Sequence, residues 1–265
     1  MELRRLEIDG TQIRYRVAGD GAPVVLVHGL SGSWRWWSAV SERLEGRHRV
    51  YLVDLPRLGR HIAAAKLAAW LRCWLEAVGL ERVDMVGHSL GGLIAAELAA
   101  EQSPRIRRLA LVAAAGIPCG RGLFTRSIGL VETLYGVRKR FPTVAGDAIR
   151  TGPLSLLRGI VFVSERDLRR DLASIRVPAL LVWGEQDRLT PTWVAEEWHR
   201  ALPGSRLVLL PCGHVPMWEV PDELADCLLA FFDEELPNDP GDKLGSRVVD
   251  RVRLPGNDDE LRVRQ

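Results

Sequence analysis

Short unbroken apolar runs recur along this chain, each bounded by turn residues: PVVLVH at 23–28 and RVYLVD at 49–54 are two of them. Runs of that length predict strands buried on both faces, because a strand with one wet face would alternate instead. Residues 82–87, 106–114, 178–184 and 206–211 read the same way. Ahead of them, 3–9 and 12–17 flank an Asp9-Gly10 turn, the signal of a hairpin. Between the runs the period lengthens. Leu67, Trp70, Leu71, Trp74, Leu75 and Val78 recur at helical spacing and predict a helix over 62–78 that stops at Gly79. Similar patterns predict helices over 90–101, 192–202 and 221–236. Strand and helix alternate, so the fold class is α/β: a mostly parallel eight-stranded sheet flanked by helices.

Two stretches break the alternation. Residues 119–173 carry helical segments punctuated by Gly136, Pro142, Gly152 and Pro153, and read as a helical cap inserted between two sheet strands. The core is then 1–118 together with 174–236. The tail, 237–265, is rich in Pro, Gly, Asn and Asp and reads as a hairpin or a disordered segment.

Composition narrows the function classes. At 265 residues and 47% hydrophobic, the chain can bury one sizeable core. Lys plus Arg number 36 against 34 for Asp plus Glu, so no basic excess points to nucleic acid. The cap is the exception, with ten basic side chains against five acidic ones. A solvated surface is the simplest account of that excess; steering of an anionic substrate or an acidic carrier is the sharper one. No apolar run approaches the length of a membrane span, and the first twenty residues lack a signal-peptide core. The expectation is a soluble cytoplasmic protein with no integral membrane association. Cys73, Cys119, Cys212 and Cys227 show no metal or redox spacing, so neither metal nor cofactor is expected.

The chemistry concentrates in VGHSLGG at 86–92. Gly-x-Ser-x-Gly between a buried strand and a helix predicts a nucleophile elbow, a strand-to-helix turn too sharp for side chains at Gly87 and Gly91. It would present Ser89 above the sheet edge. A serine hydroxyl needs a base, and the base needs an acid to hold its tautomer. Of six histidines, only His214 sits in a loop directly after the last predicted strand. Glu185 and Asp187 both stand just past the strand at 178–184, and either could serve; Asp187, beyond the Gly184 bend, is preferred. Two backbone N–H groups are expected to hold the oxyanion, those of Leu30 and Leu90. Gly29 lets the first loop turn its amides inward, and His28 is read as a brace for that loop. Asp54 precedes Ser89 and suits a structural or pocket-edge role.

HGLSGSWRWW, DLPRLG, GHSLGG, WGEQDRLTP and GHVPMWEVP, in this order, resemble the α/β-hydrolase superfamily in its capped serine hydrolase and esterase branch. The resemblance runs from about Leu3 to Leu236. It implies catalytic roles for Ser89, Asp187 and His214, and oxyanion amides at Leu30 and Leu90. Serine at the elbow counts against the dehalogenase and epoxide-hydrolase branches, which use aspartate there. The chain departs from the family pattern at Arg57, which stands in the first glycine's place of a common Gly-x-Gly. Its next helix also begins soon after Gly59, which implies a shorter wall at the pocket entrance.

Gly29, Trp34, His88 and Trp218 are candidate substrate contacts, with core packing the plainer account of the tryptophans. The function expected is cofactor-independent hydrolysis of a small apolar carboxylic ester through an acyl-enzyme. Thioester, amide or C–C bond hydrolysis and perhydrolysis use the same constellation, and a non-catalytic receptor keeps the same fold.

Overall fold

A computed structural model describes residues 1–8, 10–59, 63–119 and 140–234. Eight strands form one sheet: β1 Glu2–Ile8, β2 Thr11–Ala18, β3 Ala22–Val27, β4 His48–Val53, β5 Val83–His88, β6 Ile106–Val112, β7 Ala179–Gly184 and β8 Arg206–Leu210. Their order is β1-β2-β4-β3-β5-β6-β7-β8. β2 pairs antiparallel with β1 and β4, and all later pairings are parallel. The eight predicted runs are these eight strands.

The apolar runs are explained by the two cores they feed. In β3, Val25 and Val27 join one cluster while Val24 and Leu26 join the other. The first cluster packs the helices α2 Leu67–Val78, α3 Leu90–Ala100 and α6 Thr192–Ala201 on one face of the sheet. Across the sheet, α1 Ser38–Leu44 and α8 Pro221–Phe232 cover the other face with Val40, Leu44, Leu224 and Phe231.

Helix ends differ from the sequence reading. Within 62–78, the described residues form a 3₁₀ turn at Ala64–Lys66 before α2 begins. Gly79 ends α2 in the left-handed conformation, as the glycine stop requires. α1 had no predicted counterpart, because seven residues with Val40 and Leu44 as their only large apolar anchors are too short to show a period. The same holds for the four-residue α7 Pro216–Glu219.

Between β6 and β7 the described segment of the expected cap forms α4 Phe141–Thr151, α5 Pro153–Glu165 and a turn at Leu172–Ser174. Its remainder at 120–139, the expected tail at 237–265, and His61 lie outside the described residues. α4 and α5 dock on the loops that follow β3 and β4. The Asp147 carboxylate accepts from Ser33 Oγ at 2.7 Å and Trp36 Nε1 at 3.2 Å. Arg150 donates to the Gly32 carbonyl at 2.7 Å, and Ser155 Oγ accepts the Leu58 N–H at 2.9 Å.

The β5–α3 turn brings main chain against main chain. A Cβ on Gly87 would lie 2.4 Å from the Gly91 carbonyl oxygen, and one on Gly91 would lie 2.4 Å from that of Val27. Both obstacles are main chain, which cannot swing aside. Gly91→Ala should therefore lower stability by about 1–3 kcal/mol, as overpacking does. Gly46→Ala, at a glycine with open space around it, should leave stability level or slightly raised. Urea midpoints of the two variants check this; equal midpoints would refute it.

Candidate active site

Every sequence-predicted chemical residue follows the C-terminal end of a parallel strand: Leu30 after β3, Ser89 after β5, Asp187 after β7 and His214 after β8. β3 is also where the strand order reverses, since β4 lies on one side of it and β5 on the other. The crevice between β3 and β5 is the usual ligand position in such a sheet.

Ser89 adopts φ 50° and ψ −115°, a conformation that costs a non-glycine residue about 1–3 kcal/mol. Backbone bonds hold it there. Its N–H donates to the Val112 carbonyl at 3.0 Å, and its carbonyl accepts from Leu93 and Ala115, each at 3.1 Å. The side chain remains partly exposed, at the N-terminal end of α3. Its hydroxyl makes no hydrogen bond with another described residue. Leu30 and Leu90 line one cavity together with His28 and Gly29.

The structure separates the two carboxylates that the sequence left open. Glu185 is exposed, whereas Asp187 is buried and bonds His214 Nδ1 at 2.8 Å. Asp187 Oδ1 accepts the N–H groups of Leu189 at 2.9 Å and Thr190 at 2.8 Å, and Oδ2 accepts Thr190 Oγ1 at 2.6 Å. Burial alone would raise this carboxyl, but the imidazole of His214 and these donors outweigh it and hold it below the ordinary carboxylate range. Thr190 also approaches His214 Nδ1 at 3.2 Å. The His214 loop is held in turn by Glu219, which accepts the N–H groups of Gly213 at 2.9 Å and Val215 at 3.0 Å. Sequence reading singled out neither Thr190 nor Glu219. The spacing of Asp187 to Thr190 carried a turn signal, and Glu219 reaches back over a helix start much as a capping-box acid does.

Four other histidines take different places. His28 Nδ1–H donates to the Gly29 carbonyl at 2.8 Å, and its Nε2 accepts the Leu55 N–H at 3.0 Å. Both nitrogens are thereby used, burial lowers its pKa, and the ring braces the loop. His48 packs against Phe232, and His199 bonds Ser205 Oγ. His88 is 1% exposed and donates Nε2–H to the His214 carbonyl at 2.9 Å. Burial first, and then the neighbouring His214, push its pKa down to about 3. Trp34 donates its backbone N–H to Asp54 and lies under the Arg16 guanidinium, while Trp218 packs against Trp36 at a tilt of 40° with centroids 4.6 Å apart. Neither is among the described residues that line the Leu30–Leu90 cavity. No group of His, Cys, Asp and Glu among the described residues is arranged to hold a metal, and no described helix is long and apolar enough to cross a membrane.

Comparison with known proteins gives this geometry a context. The chain is 32% identical over 252 residues to a pimeloyl-[acyl-carrier protein] methyl ester esterase of Vibrio atlanticus, covering 82% of this chain and 96% of that one. A protein of the same name from Nitrosomonas europaea is 30% identical, with 83% and 99% covered. Among solved structures, the enol-lactonase of Burkholderia xenovorans shares the fold at a TM-score of 0.76 and 20% identity, covering 87% of this chain and all of that one. The sequence profile of the alpha/beta hydrolase family matches residues 24–227, which include the elbow, Asp187 and His214. The chain belongs to the alpha/beta hydrolase family.

Proposed function

We propose that this protein is a serine esterase that needs no cofactor, with Ser89 as nucleophile, His214 as general base and Asp187 as the acid that orients it. The observation that carries the reading is the buried 2.8 Å bond between His214 Nδ1 and Asp187, at the same sheet end as the strained Ser89. With Nδ1–H donated to a carboxylate, the neutral ring keeps its lone pair on Nε2, the nitrogen that must take the serine proton. The open Ser89 hydroxyl is consistent with a bond that tightens when substrate arrives.

Ser89 Oγ attacks the ester carbonyl carbon as its proton passes to His214 Nε2. The carbonyl oxygen becomes an oxyanion, held by the Leu30 and Leu90 N–H groups. Collapse of this intermediate expels the alcohol, which leaves with the proton from His214. Water then adds to the acyl-enzyme, giving its proton to His214, and the carboxylic acid departs as Ser89 recovers its proton. The relatives named as methyl ester esterases support a carboxylic ester as the substrate class. His88 is a positioning residue in this scheme, tying the carbonyl of His214 to the strand that ends at the elbow.

Three outcomes test these roles. A fluorophosphonate probe should label wild-type protein at Ser89, and Ser89→Ala should lose both labelling and turnover of short-chain p-nitrophenyl esters, by roughly 10⁶-fold in kcat. Labelling that persists in the variant would remove the serine from the mechanism. Asp187→Asn should lower kcat by about 10⁴-fold, since an amide can donate to Nδ1 and favours the wrong tautomer, while Glu185→Gln should match wild type. A larger loss at Glu185 would reverse the assignment of the acid.

His88 supplies the pH test. Its pKa in the folded protein, about 3, lies below the 6.5 of a free histidine, so between those values the unfolded chain binds the extra proton. Its contribution is intact above about pH 6.5 and is lost progressively as pH falls toward 3. His88→Phe should flatten the fall in stability over that window, read from urea midpoints, and lower kcat by up to about 10²-fold. An unchanged slope would mean that the ring titrates normally.

A further inference from the structure

The cavity at Leu30 and Leu90 is small, about 30 Å³, and has a larger neighbour. Leu55, Pro56, Arg57 and Arg150 line it and also line a wider cleft of about 580 Å³, whose far wall is the start of β2, from Thr11 to Arg14. That volume suits a small-molecule site. The cleft's charge is one-sided: Arg14, Arg57 and Arg150 face a single carboxylate, Asp54. Asp54 is already engaged by the Trp34 N–H at 2.9 Å and lies 3.9 Å from Arg150. Arg150 is held by the Gly32 carbonyl and by Asp147. Arg14 and Arg57 are exposed, and their guanidinium groups make no hydrogen bond or ion pair with another described residue. Two guanidinium groups lining one cleft, neither paired among the described residues, repel each other, and an anion between them removes that repulsion. The planar fork of arginine matches a carboxylate or phosphate in two-point contact.

We infer that the cleft is an anion subsite, and that the preferred substrates are esters whose acyl chain ends in a carboxylate or phosphate remote from the scissile carbonyl. This rests on the esterase reading for the reaction and on the shared lining for the direction of the chain. The carbonyl sits at Leu30 and Leu90, the chain passes Leu55 and Pro56, and the anionic end reaches Arg57 and Arg14.

The experiment compares kcat/KM for p-nitrophenyl hexanoate with that for the mono-p-nitrophenyl ester of adipate, an acyl chain of equal length ending in carboxylate. A phosphate-terminated hexanoyl analogue forms a third arm. Wild type should favour one of the anionic esters by about tenfold at low salt, with the preference shrinking as salt screens it. Whichever anionic arm is faster identifies the terminal group. Arg14→Gln and Arg57→Gln should each erode the preference through KM rather than kcat, and the double variant should abolish it. Equal rates on all three esters, in an enzyme that turns them over, would overturn the subsite while leaving the esterase reading intact. Titration of adipate and of inorganic phosphate into Ser89→Ala protein reads the subsite without turnover. Binding that disappears in the added Arg14→Gln and Arg57→Gln background supports it; no binding of either anion overturns it, whatever the fate of the esterase reading.

Discussion

At the β5–α3 turn the main chain passes so close to itself that two positions admit no side chain, and the rest of the candidate site depends on this approach. Gly87 faces the Gly91 carbonyl, and Gly91 faces that of Val27 at the end of the neighbouring strand. The contact therefore fixes more than one turn. It ties the start of α3 to the end of β3, and with them the two loops that carry Ser89 and Leu30. Ser89 is held in its costly backbone conformation by three main-chain bonds, so the strain is borne by the sheet and needs no side-chain partner. A hydroxyl presented in this way stays open for a substrate.

The opposite wall is built from directional polar contacts. Asp187 accepts four donors, and these offset the burial of its charge. Glu219 acts likewise on the adjacent loop, closing the main chain on either side of His214. His28 and His88 show the other use of imidazole. Each donates to a carbonyl and is kept uncharged by burial.

Much of this was legible in the residues. The eight strands could be read because each is a short apolar run feeding two cores, and the elbow because glycine at 87 and 91 has a steric reason. What could not be read were relations across the fold. Glu185 and Asp187 could both serve on the sequence alone, with Asp187 preferred, and the path of the loop after β7 turns the first outward and buries the second. α1 and α7 escaped because helices that short show no period. The Ser33–Asp147 bond spans 114 positions, so nothing near either residue announces it. That Arg14 and Arg57 line one cleft is of the same kind, since the antiparallel pairing of β2 with β4 brings the two segments together.

That buried Ser33–Asp147–Trp36 contact has a consequence for selectivity. Greasy surfaces slide over one another at little cost, but a carboxylate shared by a hydroxyl and an indole N–H accepts one alignment and penalises its neighbours. α4 is therefore keyed to the loop that carries Leu30, like a roof pinned to the wall beneath it. On the proposed reading, a bulky acyl group would not lift that roof without also shifting the Leu30 amide, so size discrimination and transition-state stabilisation would be mechanically one property.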